Sequence, residues 1–153
     1  MAPRASAADG VPSRKVFWAE DALDDQFLIR TAVESLRPRP EVVFFEDGDV
    51  LIEALRRERP RLVVLDIRMP RLDGIATLRQ IRALPGFHNL PVVMFSTAML
   101  DEEVRACQDL KARDFVQKPA HYAEFAEAVA RVVGGKVRAA NPAPAKVPRR
   151  LLA

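Results

Sequence analysis

Four short apolar runs in this chain end on side chains able to do chemistry. Lys15-Val16-Phe17-Trp18-Ala19 runs into Glu20-Asp21, and Leu62-Val63-Val64-Leu65 into Asp66. Pro91-Val92-Val93-Met94-Phe95 runs into Ser96-Thr97, and Asp114-Phe115-Val116-Gln117 into Lys118-Pro119. A lone carboxylate directly after a buried-type strand lies at the margin of a core, where it needs a partner, a metal or a reaction. Three carboxylates gathered together repel and push at least one pKa up. A hard divalent cation relieves that repulsion, and an all-oxygen site that keeps some waters suits Mg²⁺. An ammonium such as Lys118 beside Asp66 keeps the carboxylate ionised, and an ionised Asp is a nucleophile able to form an acyl phosphate. Mg²⁺ and the ammonium then neutralise charge on the transferring group, and the Ser96 hydroxyl is placed to hydrogen-bond it. Each residue alone has a plainer reading. Glu20-Asp21 reads as acids at a helix start, Ser96 as a cap and Lys118 as a solvated loop lysine. The joint pattern carries the chemistry.

The elements that position these residues follow from hydrophobic spacing. Strands are expected at 15–19, 42–45, 62–65, 91–95 and 114–117. Phe27, Leu28, Thr31, Ala32 and Ser35-Leu36 recur at helical spacing from Asp24 to Leu36, closed by Pro38 and Pro40. Gly48 reads as a turn residue before a helical stripe of Val50-Leu51 and Ala54-Leu55, which Pro60 ends. Ile75, Leu78, Ile81 and Leu84 give a third helix up to Pro85-Gly86, with Asp73 as its cap. Val104, Cys107 and Leu110 mark a weaker fourth, and Tyr122 to Val133 a fifth on which Tyr122, Phe125 and Val129 read as a core face. Five strands alternating with five helices predict an α/β fold with a parallel sheet covered on both sides. In such sheets the binding crevice lies at the carboxyl ends of the strands, where Glu20, Asp21, Asp66, Ser96 and Lys118 stand.

Glu20-Asp21, Asp66 within Asp-x-x-Met-Pro-x-x-Asp-Gly, Ser96 and Lys118-Pro119 resemble the receiver domain of two-component response regulators, over about residues 15–134. The resemblance implies a flavodoxin-like (βα)5 doubly wound sheet of strand order 2-1-3-4-5. It implies Asp66 as phosphoacceptor, with Mg²⁺ bound by Glu20, Asp21, Asp66 and the backbone carbonyl of Arg68. Ser96, or Thr97 beside it, is the switch hydroxyl; register favours Ser96. Lys118 is the phosphate and carboxylate partner, and Phe115 the aromatic that changes rotamer, although a core aromatic explains Phe115 equally well. The implied partner is a sensor histidine kinase or phosphotransfer protein. Asp24-Asp25-Gln26-Phe27-Leu28-Ile29 also resembles stand-alone receivers paired with phytochrome-type kinases. The chain departs from the family pattern in three places. Lys111 stands where glycine is common. Ala98 offers no polar group to position a water. Arg68 brings a long cation to the pocket mouth, to slow water attack or to contact the phosphoryl group.

Bulk properties bound the alternatives. The 153 residues suit one domain with tails: a leader over 1–14, a receiver over 15–135 and a basic, disorder-type tail over 136–153. No effector domain is expected after residue 135. Output is therefore expected from a changed surface around residues 100–133, binding a partner or a second copy. The net charge is +3, with a net +2 in residues 1–15 and +5 in 136–153. Removing those seven positive charges leaves −4 for residues 16–135, the opposite of a nucleic-acid-binding core, so only weak tail contacts to nucleic acid are expected. No apolar run spans a bilayer, the N-terminus has no signal-type centre, and the single Cys107 forms no internal disulfide; a cytoplasmic location is expected. His88 and His121 lack metal-ligand neighbours. One rival is an Asp-nucleophile phosphatase or phosphotransferase, but such enzymes commonly carry an acid where Arg68 stands. The other, a constitutive scaffold with a receiver fold, sits poorly with retention of every marker residue.

Overall fold

The computed structural model describes residues 14–134. The expected leader over 1–14, apart from Arg14, and the tail over 136–153 lie outside the described residues. The element order is β1 (Lys15–Ala19), α1 (Leu23–Glu34), β2 (Glu41–Phe45), α2 (Gly48–Leu55), β3 (Leu62–Leu65), α3 (Gly74–Ala83), β4 (Val92–Ser96), α4 (Asp101–Asp109), β5 (Asp114–Gln117) and α5 (Tyr122–Val133). All strand pairs are parallel, and the sheet order is β2-β1-β3-β4-β5, as expected for the doubly wound fold.

The strands are apolar on both faces because both faces are covered. Phe17, Ala19, Val63, Leu65, Val92 and Met94 point to the layer holding α2, α3 and α4. Val16, Trp18, Val64, Val93, Phe95 and Val116 point to the layer holding α1 and α5. All four residues of β3 are buried, so the central strand and the residue that follows it are held rigidly from both sides. Full burial of each such Val or Leu side chain contributes about 1.5–3 kcal/mol, which is why this strand anchors whatever stands at its end.

Three local expectations are corrected. Phe27, placed on the helical stripe of α1, and Tyr122, read as core, are 65% and 46% exposed, respectively. The buried stripe of α1 is Gln26, Ile29, Ala32 and Val33, and that of α5 begins at Phe125. Gly48, read as a turn, opens α2, with Asp47 as the N-cap accepting from Val50 N at 3.1 Å. A side chain at Gly48 would run into Thr77, so glycine here permits the close approach of α2 to α3. Asp73 caps α3 as expected, its Oδ1 accepting from Ala76 N at 2.8 Å. Lys111 takes φ 58 and keeps the left-handed turn after α4 despite its side chain, at a conformational cost of about 1–2 kcal/mol.

Candidate functional site

The residues at the strand ends are fixed by continuation of the sheet ladder. Glu20 N donates to Phe45 O at 2.9 Å, Asp66 N to Ala19 O at 3.1 Å and Lys118 N to Ser96 O at 2.8 Å. Glu20 follows β1, Asp66 follows β3, Ser96 closes β4 and Lys118 follows β5, so the parallel register delivers all four to one rim. Below them the turn after Asp66 folds back tightly. Gly74 N donates to Ile67 O at 2.9 Å, and a Cβ at Gly74 would overlap the Asp66 carbonyl. The Asp-Gly of the motif thus has two physical reasons: Asp73 caps α3, and Gly74 leaves room for the backbone of Asp66.

Asp66 is buried and fully engaged. Its Oδ2 accepts from Lys118 Nζ at 2.8 Å, and its Oδ1 accepts from Ser96 Oγ at 3.0 Å and from Arg68 N at 3.3 Å. Lys118 is only 5% exposed at its side chain and also donates to Glu20 Oε1 at 2.5 Å and Asp25 Oδ2 at 2.8 Å. One ammonium therefore faces three carboxylates. Burial pushes the Glu20 carboxyl up to about 7, with the Asp66 charge adding and Lys118 opposing. Burial alone would lower the Lys118 pKa, but the surrounding carboxylates outweigh it and hold the ammonium above its ordinary value. Glu20 is held from behind as well: its Oε2 accepts from Ala22 N at 3.2 Å, and its carbonyl accepts from Gln26 Nε2 at 2.6 Å.

Ligand-type oxygens of Glu20, Asp21 and Asp66 lie within 4.8 Å of one another, with Asp21 exposed. An all-oxygen donor set with an open, solvated side fits Mg²⁺. Thr97 is exposed, and its carbonyl accepts from Gln117 Nε2 at 3.2 Å, so among the two adjacent hydroxyls it is Ser96 that reaches Asp66. Phe115 is buried at 6% exposure in the apolar layer with Met94, Met99, Val104 and Cys107. The Arg68 side chain does not enter the pocket: its guanidinium forms a two-pronged ion pair with Glu103, Nη2 lying 2.9 Å from Oε1. His88 and His121 are exposed. Burial pushes the Cys107 thiol up to about 12.

Sequence reasoning did not single out Asp25 as a partner of Lys118, nor Glu103 as the partner of Arg68. Asp25 is an acid in the first turn of α1, a position common on dipole grounds alone. Glu103 stands three residues after the N-cap of α4 and accepts from Leu100 N at 2.8 Å, half of a capping box; with leucine rather than Ser or Thr at the N-cap, the sequence does not signal it.

A family model described as the response regulator receiver domain matches residues 16–130. The chain is 31% identical over 152 residues to the sensor protein GacS of Pseudomonas syringae, a match covering 94% of this chain but only 16% of GacS. Among solved structures, the phosphorylated cyanobacterial phytochrome response regulator RcpA aligns with a TM-score of 0.73 at 28% identity, covering 86% of this chain and 96% of RcpA. The receiver domain of the sensor histidine kinase PA1611 from Pseudomonas aeruginosa, with a magnesium ion in its active-site cleft, aligns with a TM-score of 0.65 at 25% identity, covering 80% and 98%. No helix among the described residues is long and apolar enough to cross a membrane. The sheet order, the acid cluster at its carboxyl rim and the matched span agree: this chain belongs to the response regulator receiver family of two-component signalling.

Proposed function

We propose that Asp66 accepts a phosphoryl group from a histidine kinase or phosphotransfer protein, with Mg²⁺ bound, and that the modified domain signals through an altered surface. The observation that carries this reading is the triple engagement of buried Asp66 by Lys118, Ser96 and the Arg68 amide. An aspartate oxygen bonds to phosphorus, the phosphorus–nitrogen bond of the donor phosphohistidine breaks, and its electron pair returns to the imidazole. Lys118 pairs with the nucleophile and then meets a phosphoryl oxygen, while the Ser96 hydroxyl turns from the carboxylate to donate to another. Glu20, Asp21, Asp66 and the Arg68 carbonyl would hold Mg²⁺, which would supply further charge neutralisation. Phe115, beside Met94 in the sheet register, is the aromatic whose rotamer follows Ser96.

The altered surface is the face of residues 100–133, at which Leu100 and Tyr122 are exposed apolar side chains. It serves a partner protein or a second copy, and phosphorylation acts as a local charge change that biases it. The test is transfer from acetyl phosphate. Incorporation that needs Mg²⁺, is blocked by chelation and is released by hydroxylamine supports an acyl phosphate. Incorporation indifferent to Mg²⁺, or stable to hydroxylamine, contradicts the reading. Light scattering with and without the label then separates the outputs: equal masses reject a phosphorylation-driven homodimer and leave the partner protein.

A further inference from the structure

Arg68 is rooted at the pocket but points away from it. Its backbone N–H donates to Asp66 Oδ1 at 3.3 Å, while its guanidinium is paired with Glu103 in the first turn of α4. The acids that act on this cation are Glu103, which it contacts, and Asp66 and Asp73 at longer range, and the side chain is anchored at its backbone beside Asp66. The guanidinium end is open to water, the Arg68 side chain being 57% exposed against 13% for Glu103. The two-pronged geometry strengthens the pair, while water at the exposed guanidinium screens it and leaves it able to exchange partners. In the structure as it stands Asp66 is already satisfied by Lys118, Ser96 and the Arg68 amide, so Glu103 holds the guanidinium.

We infer that Glu103 is a positioning residue that holds the Arg68 guanidinium off the pocket, and that an anionic group on Asp66 competes with Glu103 for it. This rests on the reading of Asp66 as phosphoacceptor. A phosphoryl group presents up to two negative charges and three acceptor oxygens, against one charge on Glu103. The planar fork of an arginine suits phosphoryl oxygens as well as it suits a carboxylate. By linkage, the factor by which Glu103 weakens the anion at Asp66 equals the factor by which that anion weakens the Arg68–Glu103 pair. Modification at Asp66 therefore strips a carboxylate on the first turn of α4 of its cation, and so changes the charge of the surface proposed for output.

The experiment is an equilibrium titration with beryllofluoride in the presence of Mg²⁺, followed calorimetrically, on wild type, Glu103→Gln, Arg68→Gln and the double variant. Glutamine at position 103 still accepts from Leu100 N, so the α4 cap is kept. Glu103→Gln is expected to tighten beryllofluoride by about two- to fivefold, and Arg68→Gln to weaken it by a similar factor. The Glu103→Gln gain must vanish in the Arg68→Gln background, which a merely structural role of Glu103 would not produce. Wild-type affinity in Glu103→Gln, or the same gain in both backgrounds, overturns this inference alone. A wild-type protein that takes up no beryllofluoride overturns the phosphoacceptor reading and this inference with it.

Discussion

Replacing Gly74 with alanine is expected to damage stability and phosphoryl transfer together. A Cβ on Gly74 would overlap the Asp66 carbonyl oxygen and stand 2.8 Å from its carbonyl carbon and 2.9 Å from Ile67 Cα. All of these are backbone atoms, so no side-chain rotation relieves the clash. Taking the closest contact, the 2.1 Å to the carbonyl oxygen, out to the 3.0 Å below which real Cβ atoms do not come means driving the start of α3 and the Asp66 turn apart by roughly 0.9 Å. Overpacking of this kind costs about 1–3 kcal/mol, and loss of the Gly74 N to Ile67 O bond adds about 1 kcal/mol. Because Asp66 itself moves, transfer from acetyl phosphate is expected to slow on the order of 100-fold. Gly86→Ala is the control. That glycine has φ +85 but nothing within 4 Å of a built Cβ, so it should lose about 1 kcal/mol and leave transfer unchanged. Urea unfolding and the initial rate of labelling read the two effects. A Gly74→Ala protein with wild-type midpoint and rate, or a Gly86→Ala protein equally slow in transfer, would show that the Gly74 contact with the Asp66 turn does not set the geometry of the site.

Lys118→Met should lower the unfolding free energy by about 3–5 kcal/mol, because it leaves Glu20 and Asp66 buried without their cation; denaturant melts showing under 1 kcal/mol would contradict this. Ser96→Ala should weaken beryllofluoride binding while Thr97→Ala should not, since only Ser96 Oγ reaches Asp66; equal effects in calorimetry would return the assignment to Thr97. Asp114 is buried, its Oδ2 has no partner among the described residues, and burial holds its pKa above the ordinary aspartate value. The folded state thus binds the proton more tightly than the unfolded chain, and stability is lost as pH rises through that window. Asp114→Asn removes this loss, so its stability advantage, on the order of 1 kcal/mol, should grow with pH and then level off above the folded pKa. An advantage largest at low pH would have the wrong sign.

The strands and the rim residues were legible because a strand buried on both faces writes a continuous apolar run, and its end is where a lone polar residue stands out. Asp66 and Lys118 are visible in that way without any knowledge of their contact. The helices were less legible at their ends. Phe27 fits a helical stripe by spacing, yet α1 turns Gln26 and Ile29 inward and leaves Phe27 in solvent. Gly48 carries the same letter as a turn glycine but serves packing of α2 on α3, which depends on Thr77 from a different element. Arg68 was visible as an unusual neighbour of Asp66, whereas the 35-residue separation from Glu103 hid which acid it serves. Asp25 was lost among the acids at a helix start until the sheet register brought Lys118 beside it. Pairings at the strand ends, such as Lys118 with Asp66, follow from the order of the sheet, whereas those that reach to a helix start, with Asp25 or Glu103, depend on how the helices dock.

If Asp66 is the nucleophile, the intact masses of wild-type protein and of Asp66→Asn after incubation with acetyl phosphate and Mg²⁺ must differ. The wild type should gain the mass of a single phosphoryl group and the variant none. An unmodified wild type, or a variant labelled to the same extent, would contradict that role for Asp66.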